Sequence, residues 1–554
     1  MDYQEQTPFS LVRYYRGSRL AGILDAGLAG ILVVLVLYAP LPFGSVEYTP
    51  RAVLQGLAAL CLLLWMVKLI YAGNPDELSA FRERHNRQVD ELRQRPLFHR
   101  YALLARILRL ISLGRWPKKN RAENLIQEGS HGDDEHPLRP FYSFFGYPVC
   151  NTGIEAIVIA FVFLLCLQLV PIPSAVAALI SPSTRDLYST AAQATGATAR
   201  FFPLSLDPFA TFTKILEYLA YFAIFLTVVN NVRTQTLYWL ILYSIFIAAV
   251  FQGVYGLYEF LSGSHHIFGY VKRTGLDSAS GTFVNRNHFA AYLELSLPLL
   301  IALIAGRVRH LRAFRGSLAA RIAHALETEG SQILMLLFMI VLVAVALIFS
   351  LSRSGITFGL TALTVFLYIY RKARHELSRK TYLALGIFGT VGLAVWVGLN
   401  PVLQRFLHLS QNWSEGARLQ VWTDTLKIFL HFPVAGTGAG TFPQIFPMYR
   451  SFLYNNIYRE AHNDYIQLLA ESGVLFFFLL IALASVLASR LKHVLSRDLR
   501  RLELIQLGAF CSLISLALHS LTDFSLQIPA IAVQGAVVAG LLFSHYHAKH
   551  HEHG

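Results

Sequence analysis

Runs of about twenty apolar residues recur along the 554-residue chain, separated by shorter polar stretches. Each run is long enough for a helix to cross a ~30 Å hydrocarbon layer. The pattern predicts about 12 transmembrane helices, at 21–40, 51–72, 153–172, 210–229, 235–261, 287–306, 332–351, 355–370, 382–399, 466–488, 505–522 and 528–544. The expected fold class is therefore an all-α polytopic membrane protein with a large loop, 400–465, between spans 9 and 10. Composition points the same way, because 55% of the residues are hydrophobic and 14% charged, which excludes an ordinary soluble enzyme.

Charge adds orientation. Lys+Arg 47 against Asp+Glu 33 leaves a net charge of +14, and the excess sits in short loops between apolar runs. It reads as a topology signal, and nucleic acid is not an expected partner. Loop 73–150 is dense in arginine from Arg82 to Arg121. Loops 307–331 (Arg307 to Arg321), 371–381 (Arg371 to Lys380) and 489–504 (Arg490 to Arg501) agree with it. The positive-inside rule makes all four cytoplasmic and places both termini there. Segments 41–50, 173–209, 262–286, 400–465 and the link around Asp523 then face outward.

The chain divides accordingly into N-terminal membrane spans (1–72), a basic, mixed-charge cytoplasmic loop (73–150), a membrane domain (151–545) and a His-rich cytoplasmic tail (546–554). Loop 73–150 is helix-compatible and reads as a peripheral hairpin or a partner surface. Aromatic residues in 400–465, Trp413 and Trp422 among them, suggest partial helices at the membrane interface. No cleavable signal peptide is expected in Met1–Leu20, which is polar and carries Arg13, Arg16 and Arg19. Cys61, Cys150, Cys166 and Cys511 have no spacing that implies a disulfide framework or a zinc site.

Three outward motifs carry the candidate chemistry. In Ser350-Leu351-Ser352-Arg353-Ser354-Gly355 an arginine stands where a span should emerge. Arg353 reads equally as a snorkelling anchor and as an anion clamp, since guanidinium is always charged and offers forked donors suited to a diphosphate. Arg418 lies ahead of Val421, Trp422 and Leu426, which with Ile428 or Phe429 form an apolar side; it is a solvated loop cation or a phosphate contact. The glycine run Gly436-Thr437-Gly438-Ala439-Gly440 imitates part of a dinucleotide fingerprint but lacks the βαβ context, so it predicts a tight turn.

The third motif is His462-Asn463-Asp464-Tyr465, at the start of the tenth span. Asn463 or Asp464 can cap that helix, and the positive end of its dipole disfavours an imidazolium at His462. Such a histidine is either a packing residue or a base able to take a proton from an acceptor hydroxyl. Further candidates are Arg286 and His288 in Gly281 to Ala290, and His519, Asp523 and Gln527, which are placed to orient polar neighbours. Ser352, Ser354, Trp422, Asn463 and Tyr465 complete the expected substrate-binding set.

The order of these motifs resembles the O-antigen ligase family, which shares its domain with lipid-linked polysaccharide polymerases. Pro40 to Ser45, Gly281 to Ala290 and His519 to Asp523 also resemble members of that group. The resemblance covers roughly residues 210–545 and implies a GT-C-like membrane glycosyltransferase that needs no metal or other cofactor. It implies transfer of a glycan from an undecaprenyl diphosphate carrier to an acceptor such as lipid A–core, on the periplasmic face of a bacterial inner membrane. By the same resemblance Arg353 and Arg418 hold the donor diphosphate and His462 lies near the acceptor, making these three the catalytic set in a catalytic domain spanning 151–545.

Other readings remain open. A polymerase or a protein oligosaccharyltransferase of the same fold would differ only in acceptor. A transporter or flippase would use Glu155, Glu217, Glu259 and Glu294, which fall within or beside apolar spans. A non-enzymatic scaffold would depend on loop 73–150.

Overall fold

The computed structural model describes residues 14–15, 18–79, 81–83, 141–196, 200–307, 318–373, 413–452, 458–497 and 499–544. The expected span 382–399, the loop cations from Arg84 to Arg121 and the histidine tail lie outside these residues. Among the described residues eight helical segments are long and apolar enough to cross a membrane: Arg19–Tyr38, Tyr48–Tyr71, Pro208–Asn231, Gln235–Ser262, Arg286–Arg307, Gly330–Phe349, Val474–Leu495 and Arg501–His519. Two expected spans are shorter apolar helices, Ile154–Leu169 and Pro529–Phe543. The chain is thus a mainly helical, polytopic membrane protein.

In chain order the helices are α1 (Arg19–Tyr38), α2 (Tyr48–Tyr71), α3 (Ile154–Leu169), α4 (Ser174–Ile180), α5 (Pro182–Thr195), α6 (Pro208–Asn231), α7 (Gln235–Ser262), α8 (Arg286–Glu294), α9 (Leu297–Arg307), α10 (Leu318–Phe349) and α11 (Arg353–Ala373). They continue as α12 (Trp413–His431), α13 (Phe442–Tyr449), α14 (Asp464–Ser472), α15 (Val474–Leu495), α16 (Arg501–His519) and α17 (Pro529–Phe543). Helices α12 and α13 realise the partial helices expected in 400–465. Among the described residues three short antiparallel two-stranded sheets pair β1 (Phe141–Phe144) with β2 (Tyr147–Cys150), β3 (Ile172–Pro173) with β4 (Phe201–Phe202), and β5 (His266–Ile267) with β6 (Tyr270–Val271).

Two spans are interrupted. The stretch 466–488, expected as one helix, breaks at Gly473, whose φ of 74° and ψ of −175° end α14 before α15 begins. A Cβ there would lie 2.1 Å from the Val434 carbonyl oxygen, so only glycine fits. Span 287–306 is divided into α8 and α9 at Leu295 and Ser296, and Pro298 supplies no N–H to continue the first ladder. The helix-compatible loop 73–150 also departs from expectation, because its described C-terminal end is the β1–β2 hairpin, turned at Phe145 and Gly146 with φ of 49° and 83°.

The chain forms two compact units. One comprises Met1–Leu28 with Leu63–Ala160. In it Lys68, buried within an apolar helix, pairs with Asp25 at 2.5 Å and lies over the Tyr15 ring, while the Tyr14 hydroxyl donates to the Leu69 carbonyl at 2.9 Å.

The other unit comprises Ala29–Leu62 with Phe161–Gly554. Its centre is α16, packed against α9, α11 and α17. Small residues allow close approach: a Cβ on Gly508 would fall 2.8 Å from the Ala302 Cβ and 2.8 Å from the Pro298 carbonyl oxygen. Helix α17 is apolar around its circumference and almost wholly buried, whereas the span Val474–Leu495 buries none of its most apolar stretch. Two motifs quoted from the sequence touch here, because Thr282 donates its hydroxyl to the Pro40 carbonyl and Gly44 leaves room for the Phe283 ring.

Candidate active site

The site is built on the start of α14. Asn463, in extended conformation, accepts at Oδ1 from the Tyr465 and Ile466 amides at 3.0 and 3.1 Å and so caps the helix. Its Nδ2 donates to the Leu521 carbonyl at 2.8 Å, and the Asp464 amide donates to the Ser520 carbonyl at 2.9 Å. The motif is therefore laced to the link between α16 and α17. His462 precedes the cap with a φ of 54°, in the left-handed region, and its carbonyl accepts the Trp422 indole N–H at 3.2 Å.

The His462 ring faces the same link. Its Nδ1 stands 3.1 Å from Oδ1 of Asp523, and its edge meets Phe524 with ring centroids 4.8 Å apart. An ionised carboxylate only accepts, so Asp523 fixes the proton on Nδ1 and leaves the Nε2 lone pair for chemistry.

Asp523 is fully buried and well supplied with donors. Asn287 Nδ2 reaches its Oδ2 at 2.7 Å, the Phe524 amide reaches Oδ1 at 2.9 Å, and Arg418 Nη2 and His288 Nε2 stand 3.8 and 3.9 Å away. Burial alone would push this carboxyl up, but the hydrogen bond from His462 and the charges of His462, His288 and Arg418 hold it well below the usual carboxylate range. Its neighbour Asp464 differs. Burial raises it to about 7, against the hydrogen bond from the Leu526 amide at 2.9 Å.

The arginines meet around this link. Arg418, on α12, donates through Nη1 to the Thr522 carbonyl at 3.2 Å. Arg353 opens α11; the Ser352 hydroxyl beside it accepts from the Gly355 amide at 3.2 Å, and Ser354 accepts from the Thr522 hydroxyl at 2.9 Å. Gly355 lets α11 approach α8 closely, since a Cβ would meet that of Ala290 at 2.4 Å. Arg286 opens α8, lies 3.5 Å from Asp277, and is near enough to Arg353 and Arg418 for both charges to act on it.

The structure thus brings Arg353, Arg418, His462, Arg286, His288 and Ser354 around one link. Ser352, Asn463, Tyr465 and Trp422 lie in the same region but use polar atoms on protein backbone; the Tyr465 hydroxyl donates to the Ala517 carbonyl at 2.8 Å. On α12, Val421 and Ile428 are buried as expected, whereas Leu426 is exposed, because the helix turns only part of its apolar side inward. Gly436, Gly438 and Gly440 all have positive φ, as the expected tight turn requires, and the Glu471 carboxylate accepts from the Gly440 and Phe442 amides. Asn287 and Thr522 were within quoted motifs, but nothing in residue type marked them as the partners of Asp523 and Ser354.

The four carboxylates that favoured a transport reading are all engaged. Glu155 accepts from Thr152 and Gly153, Glu217 pairs with Arg51 and Lys214, Glu259 with Lys272, and Glu294 with His519. Among the described residues no group of three or more His, Cys, Asp or Glu is arranged to hold a metal ion.

Several cations and a carboxylate-held histidine thus gather around one link of a polytopic helical membrane protein. Residues 338–481 match the family model described as O-Antigen ligase, so the family reached from the sequence motifs holds over that stretch, which contains Arg353, Arg418 and His462. No curated protein matches the chain.

Proposed function

We propose that the protein is a membrane glycosyltransferase of the O-antigen ligase type, which moves a glycan from an undecaprenyl diphosphate carrier to an acceptor on the periplasmic face of the bacterial inner membrane. The observation that carries this reading is the shared use of Asp523 by His462 and Arg418, with Arg353 and Arg286 alongside. It supplies a base with a defined free nitrogen next to fixed positive charge.

In this reading Arg353, Arg418 and Arg286 grip the donor diphosphate, and their fixed charges stabilise the negative charge that grows as the anomeric C–O bond breaks. His462 Nε2 takes the proton of the acceptor hydroxyl while its oxygen bonds to the anomeric carbon. The polyprenyl diphosphate leaves with the bonding pair, and the single displacement inverts the anomeric centre. His288, Ser352, Ser354, Trp422, Asn463 and Tyr465 shape the surroundings, residues 151–545 form the catalytic domain, and both termini lie in the cytoplasm.

Purified protein in proteoliposomes, given lipid-linked donor and a defined acceptor, tests this. Product should form with the natural chain and fail with His462→Ala at preserved folding. A single transfer to lipid A–core supports a ligase, and a ladder on carrier lipid identifies a polymerase instead. Translocation of labelled donor without bond formation would remove the proposal.

A further inference from the structure

Helix α8 touches the turn that carries Asp523 at two places. At its N-terminal end Asn287 Nδ2 donates to Asp523 Oδ2 at 2.7 Å, which leaves Oδ1 for His462. At its C-terminal end Glu294 Oε1 meets His519 Nδ1 at 3.0 Å, with both side chains fully buried. His519 is the last residue of α16, and its carbonyl accepts from the Thr522 and Asp523 amides at 2.9 and 3.0 Å. Both ends of one nine-residue helix therefore bear on residues 519–523.

The helix is fixed rather than hinged. Asn285 caps it through the Asn287 amide at 2.9 Å, and Phe289 to Leu293 are buried. Where it stops, Ser512 donates to the Leu295 carbonyl at 2.7 Å and Gln534 Nε2 donates to the Ser296 hydroxyl at 3.0 Å, so side chains from α16 and α17 hold both sides of the break. The Glu294–His519 contact itself is expensive. Glu294 Oε2 and His519 Nε2 are buried with no hydrogen-bond partner among the described residues. An apolar pair would join the two helices without that cost, so what the polar pair adds is direction.

We propose that α8 is the strut that orients the His462–Asp523 pair, with Asn287 and Glu294 as its positioning residues. The inference rests on the reading of His462 as the base. Asn287 spreads the carboxylate charge onto Oδ2 and holds the plane in which Oδ1 receives the imidazole. Without its amide the carboxylate is free to turn and its hydrogen bond with His462 Nδ1 loses direction. The groups around His462 are Asp523 on the link, His288 on α8, Arg418 on α12, and Tyr458 nearby in the chain; His519 and Glu294 pair beyond Asp523.

The test uses the full chain in proteoliposomes with lipid-linked donor and acceptor. Asn287→Leu should lower kcat at least about tenfold and leave donor KM within about twofold. Glu294→Leu should lower kcat similarly, and Glu294→Gln, which still accepts from His519, should restore most of it. Asn287→Ala is read in the same way if the leucine variant does not fold. A natural kcat in the Asn287 variants, a donor KM that changes as much as kcat, or no rescue by Glu294→Gln overturns the strut. His462→Ala separates the claims: turnover surviving there removes the base and the strut with it. Loss there beside unaltered Asn287 variants removes the strut alone.

Discussion

The Nδ1–H of His462 donates to Oδ1 of Asp523 at 3.1 Å, across 61 residues of sequence. Asp523→Asn preserves the shape of that contact but can present an amide N–H to Nδ1, which favours the tautomer with its proton on Nε2. The expected result is a fall in kcat of about 10²–10⁴-fold with donor KM little changed, measured with purified lipid-linked donor. Equal kcat in the two proteins would show that the carboxylate does not set the tautomer.

Arg353→Lys keeps the charge and discards the fork. If the guanidinium grips a diphosphate through two parallel N–H groups, lysine should lower kcat/KM for the donor by at least about tenfold. Donor titrations at fixed acceptor measure it, and full retention would leave Arg353 as an interface anchor.

Trp422→Phe removes the single indole N–H that holds the His462 carbonyl at 3.2 Å. A hydrogen bond of this kind is worth about 1 kcal/mol net, and His462 sits in a left-handed conformation that relies on such restraints. Activity should fall by roughly fivefold while the detergent-solubilised protein melts only a few degrees lower.

Gly473→Ala should be far more severe, because the new methyl meets the Val434 carbonyl at 2.1 Å on a backbone with φ of 74°. A loss of roughly 3 kcal/mol or more is expected, read as lost monodisperse protein or a large drop in melting temperature. Normal yield and melting would mean that α14 and α15 can join.

Asp464 makes stability depend on pH. Its carboxyl titrates near 4 when unfolded and at about 7 when folded, so between those values the folded chain holds a proton that the unfolded chain has released. Stability from this residue therefore declines as pH rises through about 4 to 7 and is lowest above it. Melting temperatures from pH 5 to pH 8 should fall more steeply for the natural chain than for Asp464→Asn, and parallel curves would contradict the assignment.

Most spans were legible because a membrane demands one long apolar run per crossing, a signal carried along the chain itself. The interruption at Gly473 was hidden by the same signal, since apolar residues continue on both sides and only backbone geometry marks the break. The β1–β2 hairpin was missed for a related reason: Phe145-Gly146 is a weak turn cue beside a charged loop. At the site, residue type and order led to Arg353, Arg418 and His462, and Asp523 was visible with His519 and Gln527 as a polar group at the link between the last two spans. The contact from Asn287 joins residues 236 apart and leaves no local trace.

The family match ends at residue 481, yet Asn287, His288 and Asp523 lie outside its bounds. A fragment cut to 338–481 would keep the His462 imidazole and lose the carboxylate that its Nδ1 meets. Grafting that stretch onto another bundle would carry His462 across without its carboxylate contact, because Asp523 and the Asn287 and His288 side chains around it come from both sides of the matched region.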